Sequence, residues 1–377
     1  MTTNTLTLMA VGDVGPIHEP VAAYGALASA TLAAADLRFA QVERVYSELG
    51  ALQVHSGGAH SRAKPHMAGI FDTCRFDVVS VASNHAMDWG PEALLDSIEL
   101  LRNKGIATAG AGRNLREARE PAVIERNGVR VAFLAYCSVL NEGYAATPDK
   151  PGVAPLRAHT YYQSVDYQAG VPPRTVTVPY EEDLEALVAD ITAAKKSAHA
   201  VIVSLHWGIH FMPRLIADYQ TTVAKAAFAA GADLILGHHA HVPKAIAVVE
   251  GKVCFHSLSN FIMSSTAKSA HAAEVFEKRY GVRLDPDYPH LPYGEDAKRS
   301  LIAKAVLTSQ GVQKVSFLPV LIDKALRPEP LRQQDPRFAD AVKYMDWASE
   351  GFAHAFTVEG DEVIVQSPAL NDYTRTA

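Results

Sequence analysis

Five groups of side chains able to hold a hard or borderline metal ion stand in this sequence, each placed directly after a short apolar run. They are Asp13, Glu43, Asn84 with His85, His206, and the cluster His238-His239-Ala240-His241. The donors are carboxylate, amide oxygen and imidazole, with no thiolate. That mixture suits one or two ions of zinc, manganese or iron better than a structural zinc knuckle or a calcium loop. Taken singly, Asp13 would serve as a turn or helix cap, Glu43 as a surface carboxylate and His206 as a hydrogen-bonding histidine. Their shared position gives them a collective meaning, because residues just beyond the carboxyl ends of strands in an α/β sheet converge on one rim. His239 and His241, two apart, would lie on the same side of an extended segment, as paired imidazole ligands do.

The elements needed to position these groups are legible as apolar runs closed by polar or glycine punctuation. Leu6 to Val11 reads as a strand ending at Gly12-Asp13. The alanine-rich stretch from Val21 to Ala35 reads as a helix, Leu37 to Val42 as a strand, and Asp77 to Ala82 as a strand ending at Ser83-Asn84-His85. Pro91 sits where the first turn of a helix accepts it, and that helix runs to about Asn103. Asn127-Gly128 between Pro121–Glu125 and Val129–Tyr136 is a type I′ hairpin signal. Residues 138–180 are a long insertion rich in proline, glycine and tyrosine, and long ordered loops are often functional. A helix from Glu181 to Ser197 precedes the strand Ala200–Leu205, which closes on His206; a helix from Asp218 to Ala230 precedes Asp233–Leu236, which leads to the histidine cluster. Hairpins turn at Glu250-Gly251 and Gln310-Gly311. Residues 1–324 read as one domain and 325–377 as an appendage.

Composition narrows the classes of function. The chain has 377 residues, is 48% hydrophobic and 20% charged, and carries a formal net charge of −6. This is ordinary globular material without a basic face for nucleic acid. Cys74, Cys137 and Cys254 are odd in number and widely spaced, so they are expected to be reduced. The first residues lack the charged and apolar regions of a signal peptide, and no stretch of about 18 apolar residues occurs. The expectation is a cytoplasmic protein with no membrane association. Self-association as a homo-oligomer is left open. His55, His60 and His66, in a glycine-containing loop, read as exposed.

The segments Val11-Gly12-Asp13, Phe39-Ala40-Gln41-Val42-Glu43, Ser83-Asn84-His85-Ala86-Met87-Asp88-Trp89-Gly90, Ser204-Leu205-His206-Trp207-Gly208, Gly237-His238-His239-Ala240-His241-Val242 and Phe255-His256-Ser257-Leu258-Ser259-Asn260-Phe261 resemble, in order and spacing over about residues 5–320, the motifs of the CapA family. These are the capsule and poly-γ-glutamate synthesis proteins, which are similar to the calcineurin-like metallophosphoesterases. The resemblance implies an α/β fold: a metallophosphatase-like two-sheet β sandwich flanked by helices, with a metal centre between strand ends. It implies that Asp13, Glu43, Asn84, His206 and two histidines of the last cluster are ligands. The spacing it calls for favours His239 and His241, with His238 in reserve. It also implies that His85 acts as acid or transition-state stabiliser and that Asp88 orients it. Gly15 stands where calcineurin-like enzymes carry the histidine of Asp-x-His, which points to a site one ligand short, with His18 as a substitute. His210 stands where many relatives carry an acidic residue.

The chemistry expected of such a centre is hydrolysis by a metal-activated hydroxide, of a phosphoester or an amide or ester bond in a small acidic molecule or peptide. Arg157, His159 and Tyr161 in the insertion, together with His210, are the expected substrate-binding residues, since a guanidinium and aromatics recognise an anion beside an apolar body. The competing readings are a metal-dependent peptide epimerase and a non-catalytic accessory protein for poly-γ-glutamate.

Overall fold

The structure, a computed structural model, describes residues 4–56 and 62–368; His60 and the side chain of His55 lie outside that description. The apolar runs become strands because they are buried on both faces, as parallel strands must be. Leu6–Gly15, Leu37–Val42, Val78–Ser80 and Ala107–Ala109 run parallel in that order. Beyond the first strand, the antiparallel hairpin Arg299–Thr308 and Gly311–Ile322 continues the same ten-stranded sheet, and Glu362–Gln366 and Ala355–Glu359 complete its edge. Asn260–Met263 pairs in parallel with the end of the first strand, setting Asn260 opposite Asp13.

The second sheet has six strands, ordered Ile246–Val249, Lys252–Phe255, Leu234–His238, Ala200–His206, Val129–Cys137, Ala122–Arg126. Its four inner strands are parallel and each edge is an antiparallel hairpin. Asn127 and Gly128 both take positive φ, 54° and 73°, as the type I′ turn requires.

The sheets pack face to face. Phe39 of the first stacks on Phe133 of the second with ring centroids 5.6 Å apart, within a core that also holds Leu8, Val131, Ile202 and Phe255. Helices Glu181–Lys195 and Asp218–Ala230 cover the other face of the second sheet, through Leu187, Ile191, Val223 and Phe228 against Val201, Val203 and Leu205. Helix Gly90–Asn103, with Pro91 in its first turn, buries Leu94, Ile98 and Leu101. The architecture is the helix-flanked two-sheet sandwich that the motifs imply.

Several elements depart from the sequence expectation. The alanine-rich stretch is a 3-10 turn, Val21–Gly25, and a short helix, Ser29–Ala33. It breaks near Gly25, which packs closely enough on Cys74 and Thr73 that a Cβ there would lie 3.1 Å from each. The insertion contains an antiparallel hairpin, Ala158–Gln163 with Arg174–Pro179. After residue 263 comes a helix, Ala270–Tyr280, with no buried residue. From residue 325 onward, helix Pro336–Ser349 inserts Phe338, Ala341 and Met345 into the main core, and the final hairpin extends the large sheet.

Candidate metal centre and its cavity

Parallel strands of both sheets deliver the candidate donors. Asp13 lies near the end of Leu6–Gly15, Glu43 directly follows Leu37–Val42, and Asn84-His85 sit in the turn after Val78–Ser80. His206 and His238 are the last residues of two strands of the second sheet. The groups meet where the sheets adjoin. Asp13 Oδ1 is 3.6 Å from His238 Nδ1 and its Oδ2 is 3.6 Å from His241 Nδ1. Glu43 Oε2 is 3.5 Å from His206 Nε2 and accepts from Ser83 Oγ at 3.0 Å. Asn84 Oδ1 lies 2.8 Å from His206 Nε2. Asp13, Glu43 and His206 each offer a ligand atom within 4.8 Å of the other two.

Many of these buried atoms have no hydrogen-bond partner among the described residues. They are both oxygens of Asp13, Oε1 of Glu43, Nδ1 of His206, both ring nitrogens of His238 and Nδ1 of His239. An unsatisfied buried polar group costs about 1–3 kcal/mol, so a cluster of them has a shared physical explanation in a shared cation. The electrostatics agree. Burial pushes the Asp13 carboxyl up to about 8, and burial together with neighbouring Asp13 holds Glu43 well above the usual carboxylate range. Two dry carboxyls this close cannot both ionise without a compensating positive charge. Burial holds His238 and His241 down to about 3 and His206 and His239 well below the usual imidazole range. They are therefore neutral at pH 7, the state in which an imidazole binds metal.

The histidine cluster does not lie on an extended segment. The strand ends at His238, and His239 and His241 take left-handed φ values of 86° and 57°, so their rings face different neighbours. His239 packs against His206 and His210, with centroids 5.0 and 3.8 Å apart. His241 sits beside Asp13 with Nδ1 2.7 Å from Asn260 Oδ1, and its ring lies flat on Tyr293 at 4.5 Å. Such backbone outliers gather at functional sites. All three histidines border the centre.

His85 is held by a buried carboxylate. Its Nδ1 is 2.7 Å from Asp88 Oδ2, and Asp88 Oδ1 accepts from the Tyr144 hydroxyl at 3.1 Å. A carboxylate at Nδ1 fixes the ring and draws a proton to that nitrogen. Nε2 is thereby turned toward Asn84 Nδ2, at 3.2 Å, and Glu43 Oε1, at 3.9 Å.

Beside the centre is a cavity of about 630 Å³, lined by Glu43, His85, His210 and His241 among others. Arg157, His159 and Tyr161, expected at this wall, are elsewhere. Arg157 makes a bidentate pair with Asp183 at 2.7 and 2.8 Å, His159 stacks on Tyr180 at 3.9 Å, and Tyr161 is 54% exposed. Asp183, in the first turn of its helix, captures the guanidinium, and the hairpin that follows projects into solvent. The cavity wall comes instead from Phe276, Arg279 and Tyr280 of helix Ala270–Tyr280, and from Arg44, Lys268 and Tyr293, none of which the sequence reading assigns. The available signals were the adjacency of Arg44 to Glu43 and the i, i+4 spacing of Phe276 and Tyr280. His18 does not substitute for the residue missing at Gly15: its Nε2 lies 3.2 Å from the Ser265 carbonyl and its ring packs on His290. His66 is exposed and paired with Glu19.

The fold is a helix-flanked two-sheet sandwich in which carboxylates and imidazoles converge at the strand ends. The model of the family described as "Bacterial capsule synthesis protein PGA_cap" matches residues 7–265, and the chain belongs to that family. It is 32% identical over 206 residues to "PGA biosynthesis protein CapA" of Bacillus subtilis (strain 168), covering 54% of this chain and 47% of the relative. It is 28% identical over 211 residues to "Probable polyglutamine synthesis accessory protein Rv0574c" of Mycobacterium tuberculosis (strain ATCC 25618 / H37Rv), covering 53% and 49%. The chain thus spans about half the length of these curated relatives. Among solved structures, the calcineurin-like phosphoesterase YfkN from Bacillus subtilis aligns over 92% of this chain and 98% of that one, with a TM-score of 0.37 and 11% identity. None of the described helices is long and apolar enough to cross a membrane.

Proposed function

We propose that this protein is a metal-dependent hydrolase acting on a phosphoester, or on an amide or ester bond, of a small acidic molecule or peptide. The observation that carries the reading is the buried cluster of Asp13, Glu43 and His206, each offering a ligand atom within 4.8 Å of the other two, with unpaired buried oxygens and nitrogens among them and Glu43 lining an open cavity. Those three residues would hold a divalent ion, with Asn84, His238, His239 and His241 around them. Such an ion, when bound, lowers the pKa of a coordinated water toward roughly 7 and polarises an electrophilic oxygen.

The remaining roles belong to the chain itself. Asp88 holds the ring of His85 through Nδ1, and His85 passes a proton from Nε2 to the departing oxygen. Tyr144 keeps Asp88 in place through its second oxygen.

The test is elemental analysis of the purified protein, followed by a screen against p-nitrophenyl phosphates, γ-glutamyl amides and lactones with the ion found. Turnover that disappears on chelation and returns with that ion supports the reading. The names of the relatives, a PGA biosynthesis protein and a probable polyglutamine synthesis accessory protein, support a second one, an accessory role in handling such a polymer. A metal-loaded protein inert toward every substrate class, yet retaining soluble poly-γ-glutamate in a pull-down, would favour it.

A further inference from the structure

Helix Ala270–Tyr280 buries none of its residues, so packing into the core does not account for it. Its ends are capped instead. The Ser269 hydroxyl accepts from the Ala272 N–H at 3.2 Å, and Gly281, at φ 65°, donates its N–H to the Glu277 carbonyl at 2.8 Å, as N- and C-caps do. One face of the helix is aromatic. Phe276 and Tyr280, a turn apart, pack on each other at 4.8 Å and against Phe211 at 5.2 and 5.0 Å, and all three line the cavity that Glu43 and His85 share.

Two cations stand at the same wall. Lys268 Nζ lies 4.8 Å from the centroid of Phe276, and Arg279 Cζ lies 5.3 Å from that of Tyr280. A ring face orients a cation without neutralising it, and among the described residues neither cation is paired with a carboxylate. Glu43 is the one carboxylate among the described residues that line the cavity. The volume, about 630 Å³, is that of a site for a whole small molecule and exceeds what a reacting phosphate or carboxyl group fills. A bare polyanion would leave the aromatic faces without a partner, and an uncharged aromatic would leave the two cations without one.

We infer that helix Ala270–Tyr280 is the specificity element of this cavity: Phe276 and Tyr280 receive a flat aromatic part of the substrate, and Lys268 and Arg279 receive an anionic group remote from the bond that reacts. The position of that bond rests on the hydrolase reading above. The substrate class is an aromatic acid conjugate rather than a uniformly charged chain.

The test is calorimetric titration of the full chain, with and without manganese, by three phosphonates that cannot be cleaved: methylphosphonate, phenylphosphonate and 3-(4-phosphonophenyl)propanoate. In the loaded protein each step should tighten binding roughly 10-fold, first through the ring and then through the carboxylate. Phe276→Ala should abolish the first gain and Phe276→Leu retain part of it. Lys268→Met combined with Arg279→Met should abolish the second, and methylphosphonate should bind every variant as it binds the wild type. Melting curves verify that these exposed-helix variants fold. Equal affinity of the wild type for methylphosphonate and phenylphosphonate would overturn the aromatic role, as would an oligo-γ-glutamate that binds more tightly than all three probes. A folded double variant that keeps the second gain would overturn the role of the two cations. Methylphosphonate binding that ignores manganese would instead count against the metal-dependent hydrolase, while the two gains and their loss in the variants are read independently of the ion.

Discussion

Ion binding at this centre should be strongly pH-dependent in a range where most metal sites with exposed carboxylates are flat. Burial pushes Asp13 up to about 8, so below that pH a cation must displace a proton before it can use the carboxylate. A single group of pKa about 8 makes apparent affinity at pH 6 about 50-fold weaker than at pH 8, or about 2.3 kcal/mol. Glu43, also raised by burial and by Asp13, steepens this further. The buried histidines do not offset it, since His238 and His241 stand at about 3 and are neutral throughout the range. Stability follows with a defined sign. In the ion-free protein Asp13 is raised from 3.8 to about 8, so its contribution is fully present below about pH 4 and is lost as the pH climbs through 8. Added manganese should therefore raise the melting temperature more at pH 8 than at pH 6. The assay is calorimetric titration with manganese at pH 6, 7 and 8 in two buffers of different ionisation enthalpy. At least one proton released per ion at pH 6 is expected, and a slope reduced by about one proton in Asp13→Asn. An affinity constant across these pH values, with no proton release, would refute the argument.

Separate roles for the ligands and the proton-transfer pair can be read from two variants. His206→Ala should lose most bound metal and activity, whereas His85→Ala should retain the metal and lose roughly 10²- to 10⁴-fold in rate, as measured by elemental analysis beside turnover. Phe133→Ala removes a ring stacked between the sheets and should cost about 3–5 kcal/mol in urea unfolding. Gly12→Ala would put a Cβ 1.9 Å from the Ser259 carbonyl oxygen, a backbone atom that cannot rotate away. It should lower both the melting temperature and metal affinity by displacing Asp13 from Asn260.

The parts of this molecule that were legible in its sequence are those governed by local rules. Apolar runs ending in a polar residue marked the strand ends and so the convergence of Asp13, Glu43 and His206, and Asn127-Gly128 marked its hairpin through the φ values that the turn demands. What escaped depends on neighbours distant in the chain. Nothing near Arg157 reveals that Asp183 will claim its guanidinium. His239 and His241 take left-handed conformations in a loop where His241 packs against Asn260 and Tyr293 and His239 against His206 and His210, so the assumption of an extended segment failed there. Helix Ala270–Tyr280 buries nothing, and the face that carries Ala272, Val275, Phe276 and Tyr280 lines the cavity instead of the core, so its spacing did not mark a core-packed helix.

Asp13 and Glu43 belong to one sheet, and His206 and His238 to the other. An ion gripped by residues from both is a rivet through the seam of the sandwich, and the two leaves cannot part while it stays in place. The slowest-exchanging amides should then include those of Leu37–Val42 and Ala200–His206 alike, and chelation should accelerate exchange in both strands together, although they are separated by more than a hundred residues of chain.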